Sequence, residues 1–359
     1  MDITLKKEAN SLELSKEQRE AVETEYDKVV VISTAASGKT RTLTERVKFL
    51  LNKGVDPARI VVITFTNAAA EEMRKRIGEA KVFIGTVHSY ANQILSMYGI
   101  NTRSYLARED FDGLFELIKQ NPDAIQEVDH LLLDEAQDSS ETQFEFLLDI
   151  IKPKNFFFTG DYRQCIYEFN KARPQLLIEL SEAPGVKTYT LDENYRNASN
   201  ILTFAKSFIR KAGPEYIDDS YSMRDAEGTV IKIEYDPEVI ANFILKKKDY
   251  KDWFVLTRTN AELDSIMTYL VAHKIPCDTF KRATITEEEF SKKMKQDTVK
   301  VLTIHTAKGL ESKNVVVIGT RGWSTEERRI QYVAATRARD LLIWTLPRPK
   351  KKRKYVDWE

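Results

Sequence analysis

The chain has 359 residues, a length that suits two domains, and its 55 Lys and Arg are balanced by 55 Asp and Glu. This balance gives no global sign of a nucleic-acid partner, although a neutral protein can carry a local basic groove. Cys165 and Cys277 lie far apart, which argues against a zinc site or a disulfide framework and favours a reducing compartment. No signal peptide and no apolar run of membrane-spanning length are recognisable. We therefore expect a soluble intracellular α/β protein without a membrane partner.

A strand, a loop of small residues and a helix are predicted in succession near the N-terminus. Residues 29–32 are apolar and β-branched, residues 33–37 are small, and Gly38-Lys39-Thr40 opens an amphipathic run. This order is typical of a phosphate-binding loop, because backbone N–H groups and the helix dipole attract phosphate at the start of the helix.

In such a loop, Lys39 would contact the β- and γ-phosphates and the Thr40 hydroxyl would bind magnesium. The match is imperfect, because the pattern has Gly where Ser33 stands, and Ala36 is another position where Gly is common. An ordinary strand-to-helix turn is the alternative interpretation.

Two carboxylates end another predicted strand. Asp134 and Glu135 directly follow the apolar residues 131–133. One carboxylate can hold magnesium, and the other can polarise an attacking water. Buried strands avoid such pairs unless they are used, although an acidic loop start is common by itself.

Aromatic, hydroxyl and amide side chains follow two further strands, residues 60–64 and 82–84. Phe65, Thr66 and Asn67 come after the first strand, and His88 comes shortly after the second. Ligands of open α/β sheets bind at the carboxyl ends of the strands, so these side chains are binding candidates. Phe65 alone would fit equally well in a hydrophobic core.

Gln18 permits two interpretations. With Ser15 it forms a helix capping box. Its amide also offers the donor and acceptor that recognition of an adenine edge requires. The local sequence does not distinguish between these roles.

Taken in order, these motifs resemble those of superfamily 1 DNA helicases of the UvrD/Rep/PcrA type. The resemblance extends from residue 14 to about residue 344, and so many motifs in one order are far more specific than any single match. The matching segments are Gln18 (Q motif), 33–40 (I), 64–70 (Ia), 85–90 (Ib), 134–138 (II), 160–169 (III), 190–197 (IV), 253–260 (IVa), 299–311 (V) and 328–339 (VI).

The resemblance implies an α/β fold with two RecA-like P-loop NTPase domains, mostly parallel sheets and an ATP cleft between the domains. The first domain is expected at residues 1–186, with a small helical insertion at about 89–129. The second is expected at 187–359 and ends in a basic tail, 347–359. Six of residues 347–354 are basic, which resembles a nuclear-import signal but is more typical of a solvated tail.

The resemblance also implies ATP and Mg²⁺ as cofactors. It assigns ATP binding to Gln18, Ser37, Gly38, Lys39, Thr40, Arg41, Tyr195 and Glu311. Magnesium would be held by Thr40 and Asp134. Catalytic roles fall on Lys39, Asp134, Glu135, Gln164, Arg196 and Arg337. Among these, Arg196 and Arg337 would act as arginine fingers and Gln164 would sense the γ-phosphate.

The implied partner is single-stranded DNA, or DNA with a single-stranded tail, together with a replication or repair protein. Movement 3′→5′ in the cytoplasm of a bacterium or a phage-infected host is expected. The candidate DNA-binding residues are Phe65, Thr66, Asn67, His88, Tyr167, Phe169, Arg258, Asn260, Thr303 and His305.

The family usually carries two inserted auxiliary domains, for which this chain has little room. Only residues 89–129 and 277–297 are available at the two positions. We therefore expect a nearly minimal two-domain helicase or translocase. The alternatives are a DNA-stimulated ATPase that remodels protein–DNA complexes and unwinds poorly, and an interaction subunit switched by nucleotide.

Overall fold

The computed structural model describes residues 13–78, 80–213, 215–280, 287–320 and 322–346, so the basic tail at 347–359 lies outside the described residues. The chain divides into two units, Met1–Tyr195 and Arg196–Glu359. The sequence-based boundary after residue 186 differs, because strand Lys187–Leu191 pairs with Lys28–Ser33 in the sheet of the first unit.

The first domain is built on a six-stranded parallel sheet in the order β3-β2-β4-β5-β1-β6. Its central strands are apolar on both faces, as expected for a parallel sheet that is covered by helices on each side. The strands are β1 (Lys28–Ser33), β2 (Ile60–Ile63), β3 (Phe83–Gly85), β4 (His130–Leu133), β5 (Asn155–Gly160) and β6 (Lys187–Leu191), and the short β7 (Glu193–Asn194) follows.

Two helices of this domain are capped at their N-termini by a threonine that stands shortly after a strand. Thr66 accepts a hydrogen bond from the N–H of Ala69, and Thr86 accepts one from the N–H of Ser89. The helices are α1 (Lys16–Val22), α2 (Lys39–Asn52), α3 (Asn67–Ile77), α4 (Val87–Met97), α5 (Arg103–Ala107), α6 (Phe111–Gln120), α7 (Glu141–Glu145), with a π-helical turn at Phe146–Ile150, and α8 (Pro174–Glu182). Helices α5 and α6 occupy the interval of the small predicted insertion.

The second domain has its own six-stranded parallel sheet, in the order β11-β12-β10-β13-β14-β9. The strands are β8 (Tyr221–Ser222), β9 (Thr229–Glu234), β10 (Trp253–Thr257), β11 (Cys277–Thr279), β12 (Val299–Thr303), β13 (Ser312–Ile318) and β14 (Ala338–Leu346). The helices are α9 (Ser199–Ile209), α10 (Pro237–Lys247), α11 (Asn260–Ala272), α12 (Glu287–Met294) and α13 (Thr325–Ala335). The prediction of two α/β domains with parallel sheets is confirmed.

Within the described ranges, every helix is too short or too polar to cross a bilayer.

Candidate nucleotide and nucleic-acid site

The order of the first sheet brings the phosphate-loop motif and the acidic motif to one edge. β5 pairs with β1 on one side and with β4 on the other, so the carboxyl ends of these three strands are neighbours. Ser33 at the end of β1, Asp134 after β4 and Asp161 after β5 therefore lie at the same edge of the sheet. This edge is where open α/β sheets bind ligands.

Side chains from three other segments hold the backbone of the loop. The amide of Gln18 donates to the Ser37 carbonyl at 2.9 Å, and the amide of Asn194 donates to the Ala35 carbonyl at 2.8 Å. A guanidinium N–H of Arg163 donates to the Ser33 carbonyl at 2.8 Å. The carbonyls are thereby occupied, while no side chain caps the N-terminus of α2, where the first N–H groups of a helix have no intrahelical partner. Such a helix start can bind an anion.

The backbone conformation and contacts of the loop bear on its glycine pattern at three positions. Gly38 has a φ of +84°, and a Cβ there would lie 2.5 Å from the amide nitrogen of Gln18, so this position requires glycine. Ala36 has a φ of +58°, a conformation that costs an L-residue about 1–2 kcal/mol. Ser33 is buried, and its hydroxyl donates to the Gly160 carbonyl at 3.0 Å. The serine thus ties the loop to β5.

Gln18 fills the capping role and also contacts the loop. Its Oε1 accepts a hydrogen bond from the Ser15 N–H at 3.1 Å, while its Nε2 donates to Ser37. Both polar atoms of the amide therefore have protein partners in this structure, so an adenine would have to share them. Tyr195, predicted to bind ATP, is part of the first domain, where the charge of Arg41 acts on it. Burial and the hydrogen bond to Glu193 raise the pKa of Tyr195 to about 12.

Asp134 is fully buried and accepts two hydroxyl hydrogen bonds. Thr159 donates to one carboxylate oxygen at 2.9 Å, and Thr40 donates to the other at 3.0 Å. Burial, followed by the charge of Glu135, raises the pKa of Asp134 to about 6, although Lys39 acts in the opposite direction. The Thr40 hydroxyl and the Asp134 carboxylate are the hard oxygen donors that magnesium prefers, so the residues present fit this ion.

Glu135 has a different environment from its neighbour. Its carboxylate lies 3.6 Å from the Lys39 ammonium group, its side chain is 27% exposed, and it accepts a hydrogen bond from the Gln137 amide. Its φ of +53° is unusual for a non-glycine residue and turns the chain directly after β4. An accessible carboxylate beside a lysine can act on water near a phosphate.

A cavity of about 970 Å³ in the first domain reaches from the acidic pair to the aromatic candidates. Asp134 and Glu135 line it together with Phe65, His88 and Phe169. The structure thus brings together, within one domain, residues that the sequence assigned to nucleotide chemistry and to DNA.

Three of the aromatic candidates form one cluster. The rings of Phe65 and Tyr167 stack with centroids 5.1 Å apart, and Phe169 meets Tyr167 edge-on at 5.9 Å. Phe65 and Phe169 are exposed, whereas Tyr167 is buried. The predicted stacking surface therefore consists of the two phenylalanines, with the tyrosine supporting them from below.

The other candidates near α3 and α4 have structural partners. Thr66 caps α3, and Asn67 begins that helix and lines the cavity. His88 stacks on Phe111 with centroids 4.0 Å apart, and its Nε2 accepts a hydrogen bond from Gln143 at 3.3 Å. Burial lowers the pKa of His88, with Asp112 opposing, which favours the neutral ring. Phe111 covers one ring face, so a base could stack there only if Phe111 moved.

A buried network after β5 was missed in the sequence. Asp161 accepts from the Arg163 guanidinium at 2.6 Å and from the Gln164 amide at 2.6 Å, and its N–H donates to Gln137 at 2.9 Å. Gln164 is therefore anchored to Asp161. Thr159 is a further missed contributor through its bond to Asp134. These residues lie in or beside the motifs, but only the pairing of β4 with β5 brings them together.

In the second domain, the proposed arginine fingers are engaged with local partners. Arg196 forms an ion pair with Glu311, which also lies 3.5 Å from Arg339. Burial acts to raise the pKa of Glu311, but Arg196 and the neighbouring arginines lower it overall. Glu311, predicted to bind ATP, thus contacts Arg196 in this structure.

Arg337 is buried, and all parts of its guanidinium take part in hydrogen bonds. It donates to the carbonyls of Val333 at 2.9 Å and Leu310 at 3.2 Å, and to the Thr336 hydroxyl at 3.1 Å. The side chain is consequently held in one orientation.

The DNA candidates of the second domain follow two adjacent strands. Thr303 ends β12 and caps the turn that contains His305 by accepting from the Thr306 N–H at 3.2 Å. Arg258 follows β10 and contacts Glu327 at 3.0 Å, and Asn260 begins α11. β10 and β12 are parallel partners, so these residues share one edge of the sheet.

Both parts of the chain match protein domains that have been described in other proteins. Residues 14–121 and 114–184 match the family described as UvrD/REP helicase N-terminal domain. Residues 189–284 and 278–348 match the UvrD-like helicase C-terminal domain.

Individual relatives are distant but numerous. The chain is 24% identical over 374 residues to a probable DNA helicase II homolog of Mycoplasma capricolum, with 74% of this chain and 52% of that protein covered. It is 26% identical over 371 residues to the ATP-dependent DNA helicase PcrA of Leuconostoc citreum, with coverage of 73% and 49%. A probable DNA helicase of Mycoplasma pneumoniae is 24% identical over 448 residues, with coverage of 92% and 82%. The chain thus spans about half the length of the first two relatives, and it belongs to the UvrD-like helicase family.

Proposed function

We propose that this chain hydrolyses ATP to move along single-stranded DNA, in the 3′→5′ direction of the family. The observation that carries the proposal is the cavity lined both by Glu135, whose carboxylate lies 3.6 Å from Lys39, and by the exposed rings of Phe65 and Phe169. The names of the relatives, which include ATP-dependent DNA helicases, support the same activity.

In this proposal, the start of α2 binds the phosphates of ATP and Lys39 neutralises their charge. Thr40 and Asp134 hold magnesium, which supplies further positive charge at the phosphate oxygens. Glu135 orients and deprotonates the attacking water. Its present partner, Lys39, would be drawn toward the phosphates when ATP binds, which would leave the carboxylate available to water.

We assign Arg196 and Arg337 to the charge that develops on the γ-phosphoryl group. Arg196 then has to exchange Glu311 for phosphate, whereas Arg337 is already oriented by its backbone partners. A preorganised guanidinium of this kind stabilises a transition state without rearranging during the reaction.

Single-stranded DNA would contact Phe65 and Phe169 through its bases, since an aromatic face stacks on any base. Thr66, Asn67, Arg258 and Asn260 would contact its phosphates. The Nε of Arg258 donates a hydrogen bond to Glu327. Its two Nη groups make no hydrogen bond to the described residues, so they are available to a DNA phosphate.

We further propose that duplex unwinding is weak. Each of the two helicase domains matches this chain in two stretches of sequence. The paired stretches overlap at residues 114–121 and 278–284. Both overlaps lie inside the intervals 89–129 and 277–297, which leave little room for inserted domains. The alignments of 374 and 448 residues also exceed the 359-residue chain, so those relatives carry residues that this chain lacks. A translocase that displaces proteins from DNA is therefore the favoured form of the activity.

The conformation of the loop leads to a first prediction. Gly38→Ala should weaken ATP binding at least roughly tenfold, because its φ is positive and its Cβ would meet Gln18. Ala36→Gly, at the other positive φ, should bind ATP normally, because glycine adopts this conformation without strain. Calorimetric titration with a non-hydrolysable ATP analogue measures both. Unchanged binding by Gly38→Ala would contradict the assignment.

The two charges of the Lys39–Glu135 pair should have separable effects. Glu135→Gln should still bind ATP but lose roughly two orders of magnitude or more in turnover, the scale of general-base catalysis. Lys39→Ala should fail mainly in binding, since the phosphate charge loses its partner. Phosphate-release kinetics alongside the binding titration distinguish the two variants. Near-normal turnover by Glu135→Gln would overturn its assignment as the base.

The arginines of the second domain can be tested in the same assay. Arg196→Ala and Arg337→Ala should lower turnover by roughly three orders of magnitude, as loss of an arginine finger does. Arg210→Ala, an exposed arginine of the same domain, is the control and should behave as wild type. Circular dichroism checks folding, since Arg337 also bonds backbone carbonyls. Normal turnover with lost DNA binding would assign both arginines to the DNA path instead.

Single-stranded DNA should stimulate ATP turnover with little dependence on base sequence and a strong dependence on salt. Phe169→Ala should raise the DNA concentration for half-maximal stimulation by roughly 5-fold to 150-fold, the effect of one lost stacking contact. Tyr98→Ala, which removes another exposed ring, is the matched control. Equal stimulation by duplex DNA would argue against a single-strand path.

A further inference from the structure

The loop between β13 and α13 presents an exposed tryptophan. Trp323 is 81% exposed, whereas Trp253 and Trp344, the other tryptophans among the described residues, are buried. A large indole left in water loses the burial that usually stabilises this side chain. The exposed indole therefore offers a planar apolar surface that a ligand could contact.

An arginine supports the indole from one side. The guanidinium carbon of Arg328 lies 4.7 Å from the ring centroid, the geometry of a cation–π contact. Arg328 is itself buried and donates to Gln331 at 3.2 Å. Gln331 also donates to the Gly322 carbonyl at 3.3 Å, beside the tryptophan. Arg328 therefore contacts one face of the ring, and the side chain is otherwise open to solvent.

The sheet topology places this ring beside the predicted DNA residues. β10 lies between β12 and β13, and all three strands are parallel. The segments that carry Thr303, Arg258 and Trp323 therefore leave the same edge of the sheet side by side. A direct connection exists as well, because Glu327 of α13 contacts Arg258 at 3.0 Å.

We propose that Trp323 is a base-stacking residue of the second domain, which receives one unpaired base of single-stranded DNA on its open face. The proposal rests on the proposed function and extends it to a residue that the motifs do not identify. An unpaired base offers the planar surface that an isolated indole matches, and the adjoining phosphates would meet Arg258. A protein partner would call for a contiguous apolar patch, but the residues after Trp323 are polar or charged up to Arg329.

Tryptophan fluorescence tests this proposal directly, because stacking on a base quenches indole emission. Titration of the wild-type protein with an oligothymidylate should quench its fluorescence, and Trp323→Phe should lose this quenching while it keeps most of the binding. Trp323→Ala should raise the half-saturating oligonucleotide concentration roughly 5-fold to 150-fold. Val271→Ala, an exposed apolar truncation at the far end of α11, should behave as wild type.

The outcomes distinguish this inference from the function on which it rests. If single-stranded DNA fails to stimulate ATP turnover by the wild-type protein, the proposed function itself fails. If stimulation occurs but Trp323→Ala binds the oligonucleotide as tightly as wild type, or keeps the quenching, Trp323 is not a stacking residue. Because the side chain is exposed, its truncation should leave the fold intact, which circular dichroism checks.

Discussion

The phosphate loop depends on hydrogen bonds to its carbonyl oxygens from side chains elsewhere in the first domain. Gln18, Arg163 and Asn194 reach Ser37, Ser33 and Ala35 from 19, 130 and 159 residues away along the chain. These bonds fix a loop that has Ser33 and Ala36 where glycine is usual, and they link it to α1, to the turn after β5 and to the segment after β6. The conformation of the loop is therefore linked to three other parts of the domain through single hydrogen bonds.

The two adjacent carboxylates, which both follow β4, have different chemistry because the chain turns sharply at Glu135. Asp134 is enclosed by Thr40 and Thr159, and burial together with the neighbouring charge of Glu135 raises its pKa. Glu135 turns outward at a positive φ and meets Lys39 at the boundary of the cavity. One carboxylate is thus suited to a metal and the other to water, although they are neighbours in sequence.

Apolar strands alternating with capped helices indicated an α/β protein, and the resemblance of the ordered motifs to UvrD/Rep/PcrA helicases implied the two parallel-sheet domains. The sequence could not predict that Tyr167 is buried beneath Phe65, that Phe111 covers His88, or that Glu311 contacts Arg196. Each of these contacts joins residues that are distant in sequence or come from the small helical insertion, so no local pattern encodes it. Trp323 was missed for a related reason. Only the order of the strands places this residue beside the predicted DNA-binding residues of the second domain.

We propose that two domains with little inserted between their motifs can move along single-stranded DNA but separate a duplex poorly. The most direct measurement compares single-turnover translocation with unwinding of 3′-tailed duplexes of increasing length. We expect ATP-dependent movement that displaces a bound protein, together with a yield of separated strands that falls steeply with duplex length. Processive unwinding by one monomer at its translocation rate would contradict it.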